Sequence, residues 1–375
     1  MKTLCKRIFP GNFATVNQNN KKMKKLFCFL SAAVLCAAVS VSCKKQQVPV
    51  VSPLYGQTAK AVISLSGVDA EISSRASSTS SYGGDKTAST TQILIYDISG
   101  ALVASPTPGD TITLSKGMSY SVRAIVNGPD YSGLTIGQAI PMEIRLADYP
   151  WVMEGEAGLN FNSSDFVNLN VQVRSHAARI HLKSIVNNLP PAFGAITVDR
   201  VYLCNAMGGC DMSGDPTFRW LNKYGRKDFS VPVTPNSTTG AVDGSVEAAA
   251  STFKDFANHS ISHGSAYNPS DAYFYSFPNE ETGDIPANAA TSTSWTEQAT
   301  WLTICGRVQA NTYYWTVNLG ANIEYGLKNN TSYDVSVTIN NLGSDNPGTE
   351  VTPGSAAIGV TVLPWISGTE ITQTL

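Results

Sequence analysis

The sequence predicts an all-β protein built as two sandwich domains in tandem, and three observations carry that prediction. Short runs of apolar residues alternate with polar ones at period two along most of the chain, the spacing of half-buried strands. Gly, Asn, Pro and Ser gather between these runs, where tight turns require them. The chain has 375 residues, 42% of them hydrophobic, which is enough for roughly two domains at ~100–200 residues each.

The first segment is an address, not part of the fold. Lys21, Lys22, Lys24 and Lys25 precede an apolar run from Leu26 to Val41. That run is short of the ~20 apolar residues that a membrane span needs and fits the h-region of a signal peptide. Met23 stands where a signal peptide would begin, so residues 1–42 are set aside as a leader in which residues 1–22 are either an over-extended start or a long n-region. The run ends in Val39-Ser40-Val41-Ser42-Cys43, which resembles a bacterial lipobox with Cys43 as the lipidated first residue of the mature chain. Several acyl chains on one cysteine make a stable membrane anchor. The plainer alternative is an ordinary signal peptide cut near Ser42.

The leader also hides the charge of the body. Lys+Arg number 26 and Asp+Glu 28 over the whole chain, and residues 1–42 contain seven basic and no acidic residues. The rest carries 19 basic against 28 acidic groups, a net charge of −9. Such a body has no electrostatic footprint for nucleic acid.

Gln46–Tyr55 reads as a polar, proline-containing tether. A strand follows at Lys60–Ser66, where Ala61, Ile63 and Leu65 alternate with other residues. Glu71–Gly84 is Ser- and Gly-rich, the type of exposed segment that proteases cut, and Arg75 is the single basic residue between Lys60 and Lys86. Further strands are predicted at Gln92–Asp97, Ala101–Val103, Thr111–Leu114, Ser119–Asn127, Phe166–Val173 and Ala178–Leu182, and a domain boundary is placed near residue 176. The segments are then a lipidated tether with a first strand at 43–75, an N-terminal sandwich at 76–176 and a C-terminal sandwich at 177–375.

In the second half, strands are predicted at Ala195–Leu203, Trp301–Ile304, Thr312–Leu319, Ser332–Ile339 and Ile358–Val362, with a last one at Glu370–Leu375. Residues 211–290 read as a low-complexity middle with one short helix at Ser245–Ala257.

Catalytic chemistry finds little support. The chain has four histidines. His259 and His263 have a spacing that a helix could turn toward a metal, but their Asn- and Ser-rich surroundings read as a solvated loop. There is no nucleophile elbow, phosphate loop or zinc spacing, so no catalytic residue, metal or cofactor is predicted, and the chain is not expected to be an enzyme. Trp301, Tyr313, Tyr314 and Trp315 would form either a sugar-stacking platform or, as is commoner on strands, part of a core. Of the body's cysteines Cys204, Cys210 and Cys305, the first two would either bridge a short loop or stay as buried thiols.

In this order the pieces resemble a fimbrillin, or type V pilin. The carriers are Cys43, the strand Ala61–Leu65, Arg75-Ala76 in its Ser-rich loop, Tyr120–Asn127 (YSVRAIVN), Val173–Leu182 (VRSHAARIHL), Tyr313-Tyr314, Asn329–Ile339 (NNTSYDVSVTI) and Val360–Trp365 (VTVLPW). The resemblance implies two transthyretin-like Greek-key sandwiches and a lipoprotein precursor at the outer membrane. It also implies an arginine-specific protease cutting between Arg75 and Ala76. Ala61, Ile63 and Leu65 would then leave with the removed strand, and Ile366, Ile371 and Leu375 of a neighbouring subunit would take their place. The implied partners are other pilin subunits in an adhesive fimbrium and ligands on host or bacterial surfaces. The alternatives are a tip or anchor subunit and a surface glycan-binding lipoprotein.

Overall fold

The computed structural model describes residues 56–67, 88–217, 219–222, 250–281, 299–319, 326–345 and 356–364. The first half holds β1 (Thr58–Ser66), β2 (Thr91–Tyr96), β3 (Leu102–Ala104), β4 (Thr111–Ser115) and β5 (Ser119–Val126). After these come a single helical turn α1 (Ile136–Ala139), β6 (Ile144–Arg145), β7 (Met153–Asn160), β8 (Phe166–Gln172) and β9 (Arg174–Ser175). The second half continues with β10 (Ala178–Asn187), β11 (Ile196–Cys204), β12 (Ala206–Met207), β13 (Gly209–Cys210), β14 (Trp220–Leu221) and β15 (Phe253–Ile261). It ends with β16 (Ala266–Tyr267), β17 (Tyr273–Ser276), β18 (Trp301–Val308), β19 (Asn311–Asn318), β20 (Thr331–Ile339) and β21 (Ala356–Pro364). The fold is all-β, with sandwiches in tandem.

In the N-terminal sandwich a three-stranded sheet, β4-β1-β8, faces a five-stranded sheet, β3-β2-β5-β7-β9. Period-two alternation decides what lies between them. Ala59, Ala61 and Ile63 from β1 meet Ile93 and Ile95 from β2 and Val122, Ala124 and Val126 from β5. Tyr120 and Phe161 close the end of this core, with ring centroids 6.4 Å apart in an edge-to-face contact. At Gly155 the two sheets come so close that an added Cβ would stand 2.4 Å from the carbonyl oxygen of Gln172.

The five-stranded sheet is buried on both faces. Leu94, Tyr96 and Ile125 point away from β1 into a second core, shared with α1, β6 and the C-terminal half. Arg123 lies on that face too, with Nη1 3.1 Å from Glu154 and Nη2 2.8 Å from Glu156. The C-terminal sandwich packs sheet β16-β10-β20-β21, with β17 also on β10, against β15-β11-β18-β19. Its interior holds Ile180, Leu182, Val198, Ile304, Trp315, Val317, Val335 and Val337.

Residues 205–221 tie the halves together. β13 pairs with β6, matching Gly209 to Arg145 and Cys210 to Ile144. The Leu146 amide donates to the Gly208 carbonyl at 2.8 Å, and Arg219 Nη2 reaches Glu143 Oε2 at 2.7 Å. His176, at the junction, donates its backbone N–H to the Val152 carbonyl, and its Nε2 lies 3.1 Å from the Met212 carbonyl. Burial lowers the His176 pKa to about 4, reinforced by the Arg123 charge and opposed by the Met212 contact.

Several features differ from the sequence expectation. The segment expected to end a helix at Ala257 is strand β15 from Phe253 onward. Its pairing with β11 overrides helix propensity, and Ala257 and Asn258, at φ 50° and 63°, form a bulge that no helix tolerates. Residues 223–249 lie outside the described residues. The low-complexity middle also contains β14, β16 and β17. Strand β7 was not expected at all.

Candidate functional site: the buried first strand

β1 is the central strand of its sheet. It runs antiparallel to β4, matching Ala59 with Leu114 and Ala61 with Ile112, and parallel to β8, matching Ala61 with Val167, Ile63 with Leu169 and Leu65 with Val171. Parallel pairing needs a long connection between the strands, and here everything from β2 to β7 intervenes. β1 thus fills a slot that the rest of the sandwich builds around it.

Its two faces differ. Ala59, Ala61 and Ile63 are 3%, 0% and 1% exposed, and Leu65 packs partly buried against the same core. Thr58, Lys60 and Ser64 face solvent. On this outer face Ser64 Oγ donates to Asn170 Oδ1 at 3.3 Å, and Asn170 Nδ2 donates to Ser66 Oγ at 2.9 Å.

Both ends of the strand are fastened. At the start, the Lys116 amide donates to the Gln57 carbonyl at 2.7 Å, the Lys60 amide donates to the Asp165 carbonyl at 2.9 Å, and Lys116 Nζ pairs with the Asp165 carboxylate. Farther along, the Gly109 amide donates to the Ile63 carbonyl and the Val173 amide to the Ser66 carbonyl, each at 2.9 Å. The chain leaves at Gly67, whose φ of 94° suits glycine and whose added Cβ would stand 2.4 Å from the Val173 carbonyl oxygen.

Of the residues singled out in the sequence, Ala61, Ile63 and Leu65 lie together on the inward face of β1. Cys43, Arg75, Ala76, Ile366, Ile371 and Leu375 lie outside the described residues. Ala59 belongs to the same inward row and was missed; extending the alternation two residues toward the N-terminus finds it.

The other candidate chemistry resolves into packing. Trp301 and Trp315 are fully buried, Tyr314 nearly so, and Tyr313 is half-buried against the core that holds Trp315, so these aromatics form core and not an exposed platform. Cys204, Cys210 and Cys305 are free buried thiols, with Cys204 pushed up to about 12 by burial. His259 is on strand β15, stacked on Tyr267 with ring centroids 3.6 Å apart, instead of in the expected loop, because β15 pairs through it with β11. No group of three or more His, Cys, Asp or Glu is placed to hold a metal among the described residues, and none of their helices is long and apolar enough to cross a membrane.

No protein-family model and no curated protein matches the chain. Solved structures do. A proposed cell adhesion protein from Bacteroides eggerthii has a TM-score of 0.54 and 16% identity over 83% of this chain and 97% of its own. A second, from Parabacteroides distasonis, has a TM-score of 0.55 and 14% identity over 82% and 98%. A fimbrilin from Porphyromonas gingivalis has a TM-score of 0.53 and 12% identity over 84% and 98%. With nearly the whole length of each covered, this chain has a fimbrillin-like fold.

Proposed function

We propose that the chain is a structural subunit of an adhesive surface fimbrium, without catalysis or cofactor. It is exported as an outer-membrane lipoprotein through Cys43, cut between Arg75 and Ala76, and polymerised by exchanging its first strand for a C-terminal strand of its neighbour. The observation that carries this reading is the central placement of β1, with Ala59, Ala61 and Ile63 buried and neighbours on both sides.

Loss of β1 would leave the facing edges of β4 and β8 with unpaired N–H and C=O groups beside empty apolar sites. Burial of a side chain such as Ile63 contributes about 1.5–3 kcal/mol, and each orphaned backbone group costs a further ~1–3 kcal/mol. An incoming strand restores both contributions, the logic of strand addition. Because acceptor and donor are different surfaces, the contact is head-to-tail and need not close, which gives filaments. Arg75 follows β1 in sequence, so one cut after it separates the strand from the sandwich.

The names of the similar structures, cell adhesion proteins and a fimbrilin, support the same reading. Burial of Trp301 and Trp315 favours it over a glycan-binding lipoprotein that would stack sugars on these rings. The test is trypsin treatment of the purified full-length protein and of Arg75→Ala, followed by N-terminal sequencing and an unheated SDS gel. The expected result is a new N-terminus at Ala76 with an SDS-resistant ladder, both lost in Arg75→Ala. A ladder from Arg75→Ala with β1 still attached would refute the reading.

A further inference from the structure

We infer that a buried water-binding site lies in the seam between the two halves, formed by the Tyr96 hydroxyl, the Tyr131 hydroxyl and Arg123 Nε, and that one ordered water there is shared by all three groups. Tyr96, Tyr131 and Arg123 are 1%, 0% and 7% exposed. Among the described residues none of these three atoms has a hydrogen-bonding partner. Buried polar groups in folded proteins are satisfied in the great majority, by protein or by ordered water. An orphaned group forfeits its hydration with nothing in return.

The chain brings the three groups to one face. Alternation along β2 turns Gln92, Leu94 and Tyr96 away from the first core. Arg123 stands on the neighbouring strand opposite Leu94, one diagonal step from Tyr96, and diagonal neighbours are within reach of long side chains. Its guanidinium commits Nη1 to Glu154 and Nη2 to Glu156, which leaves Nε–H. Tyr131 is set over β2 by a two-point clamp: its amide donates to Gln92 Oε1 at 2.9 Å, and Gln92 Nε2 donates to the Pro129 carbonyl at 2.7 Å. Tyr96 and Tyr131 enter the same core as Ile144 and Cys210, where β13 crosses back to β6.

The electrostatics agree with that placement. Burial raises the pKa of both tyrosines, opposed at Tyr96 by the Arg123 charge and reinforced at Tyr131 by Cys210, Tyr149, Asp211 and Tyr96. Both hydroxyls therefore keep their protons at neutral pH and can donate as well as accept. Water matches this set of groups. It would accept from Arg123 Nε–H and from one hydroxyl and donate to the oxygen of the other, which gives it the about three partners usual for a buried water. A small anion does not match, since the Arg123 charge is already shared by two carboxylates and the Asp211 charge bears on Tyr131.

The test uses the full-length protein. A crystal structure should show a solvent peak within about 3.2 Å of Tyr96 Oη, Tyr131 Oη and Arg123 Nε, and a bromide soak should give no anomalous signal there. In urea unfolding, Tyr96→Phe and Tyr131→Phe should each lower the midpoint by about 0.3–0.5 M. The double variant should fall by less than the sum of the two, since the shared water leaves with the first hydroxyl. Hydroxyls that are buried without water predict the opposite sign, a midpoint unchanged or raised when either oxygen is removed. That outcome, or the lack of a solvent peak, would overturn the site. Bromide at the peak would overturn the choice of water, and a double variant that falls by the full sum or more would overturn the sharing.

Discussion

If β1 is removed as proposed, Ile63→Ala separates the uncleaved protein from the polymer. Ile63 is 1% exposed and lies beside Leu169 in the middle of the N-terminal core. The substitution removes three carbon groups, worth about 2.4 kcal/mol at ~0.8 kcal/mol for each buried group. The residual cavity adds to this, and measured losses for such truncations span about 2–5 kcal/mol. We expect the uncleaved protein to lose about 3 kcal/mol in urea unfolding followed by tryptophan fluorescence. With an m-value of about 2–3 kcal/mol/M, the midpoint falls by about 1–1.5 M. Lys60→Ala, on the exposed face of the same strand, should change stability by no more than about 0.5 kcal/mol. Material cut at Arg75 and polymerised should unfold identically with or without the Ile63 substitution, since that residue has departed. A loss below about 0.5 kcal/mol in the uncleaved protein would show that β1 is not part of the core. An equal loss in the polymer would show that β1 never leaves.

Two further predictions concern the junction and the thiols. Native His176 takes up its proton near pH 4, whereas in the unfolded chain it does so near ~6.5, so stability should fall as pH drops through that interval, by up to about 3 kcal/mol at ~1.36 kcal/mol per unit. His176→Gln should flatten that slope in urea titrations between pH 4 and 7, and an unchanged slope would show that the junction histidine is not responsible. In the protein released by trypsin, Cys204, Cys210 and Cys305 should be inert to a thiol reagent under native conditions and should all react in denaturant. A deficit of two thiols in denaturant would reveal a bridge.

Much of the fold was legible because its strands are amphipathic. β1, β8 and β20 show plain alternation, since each has one face on a core. β7 hid because its sequence, MEGEAGLN, contains two glycines and two glutamates. Their reasons are tertiary: Gly155 admits the Gln172 carbonyl, and Glu154 and Glu156 meet Arg123 from β5. β15 hid for a related reason, since the alanines ahead of it favour a helix locally while its pairing partner β11 lies some fifty residues away. At the candidate site, the inward row was readable as a pattern, but its place between β4 and β8 was not, because parallel pairing across some hundred residues leaves no local trace.

The junction at His176 also bears on how the molecule would respond to a pull. Only His176 and Ala177 connect the last strand of the first half to the first of the second. A bare link of that length would act as a swivel. Here the segment around β13 crosses back to β6, and the outer face of the five-stranded sheet is sealed into the core that continues into the second sandwich. Bending at the link therefore means separating close-packed side chains and the Arg219–Glu143 pair together. If the chain polymerises as proposed, the two halves would carry load together through this packing, and compliance would reside in the joints between molecules.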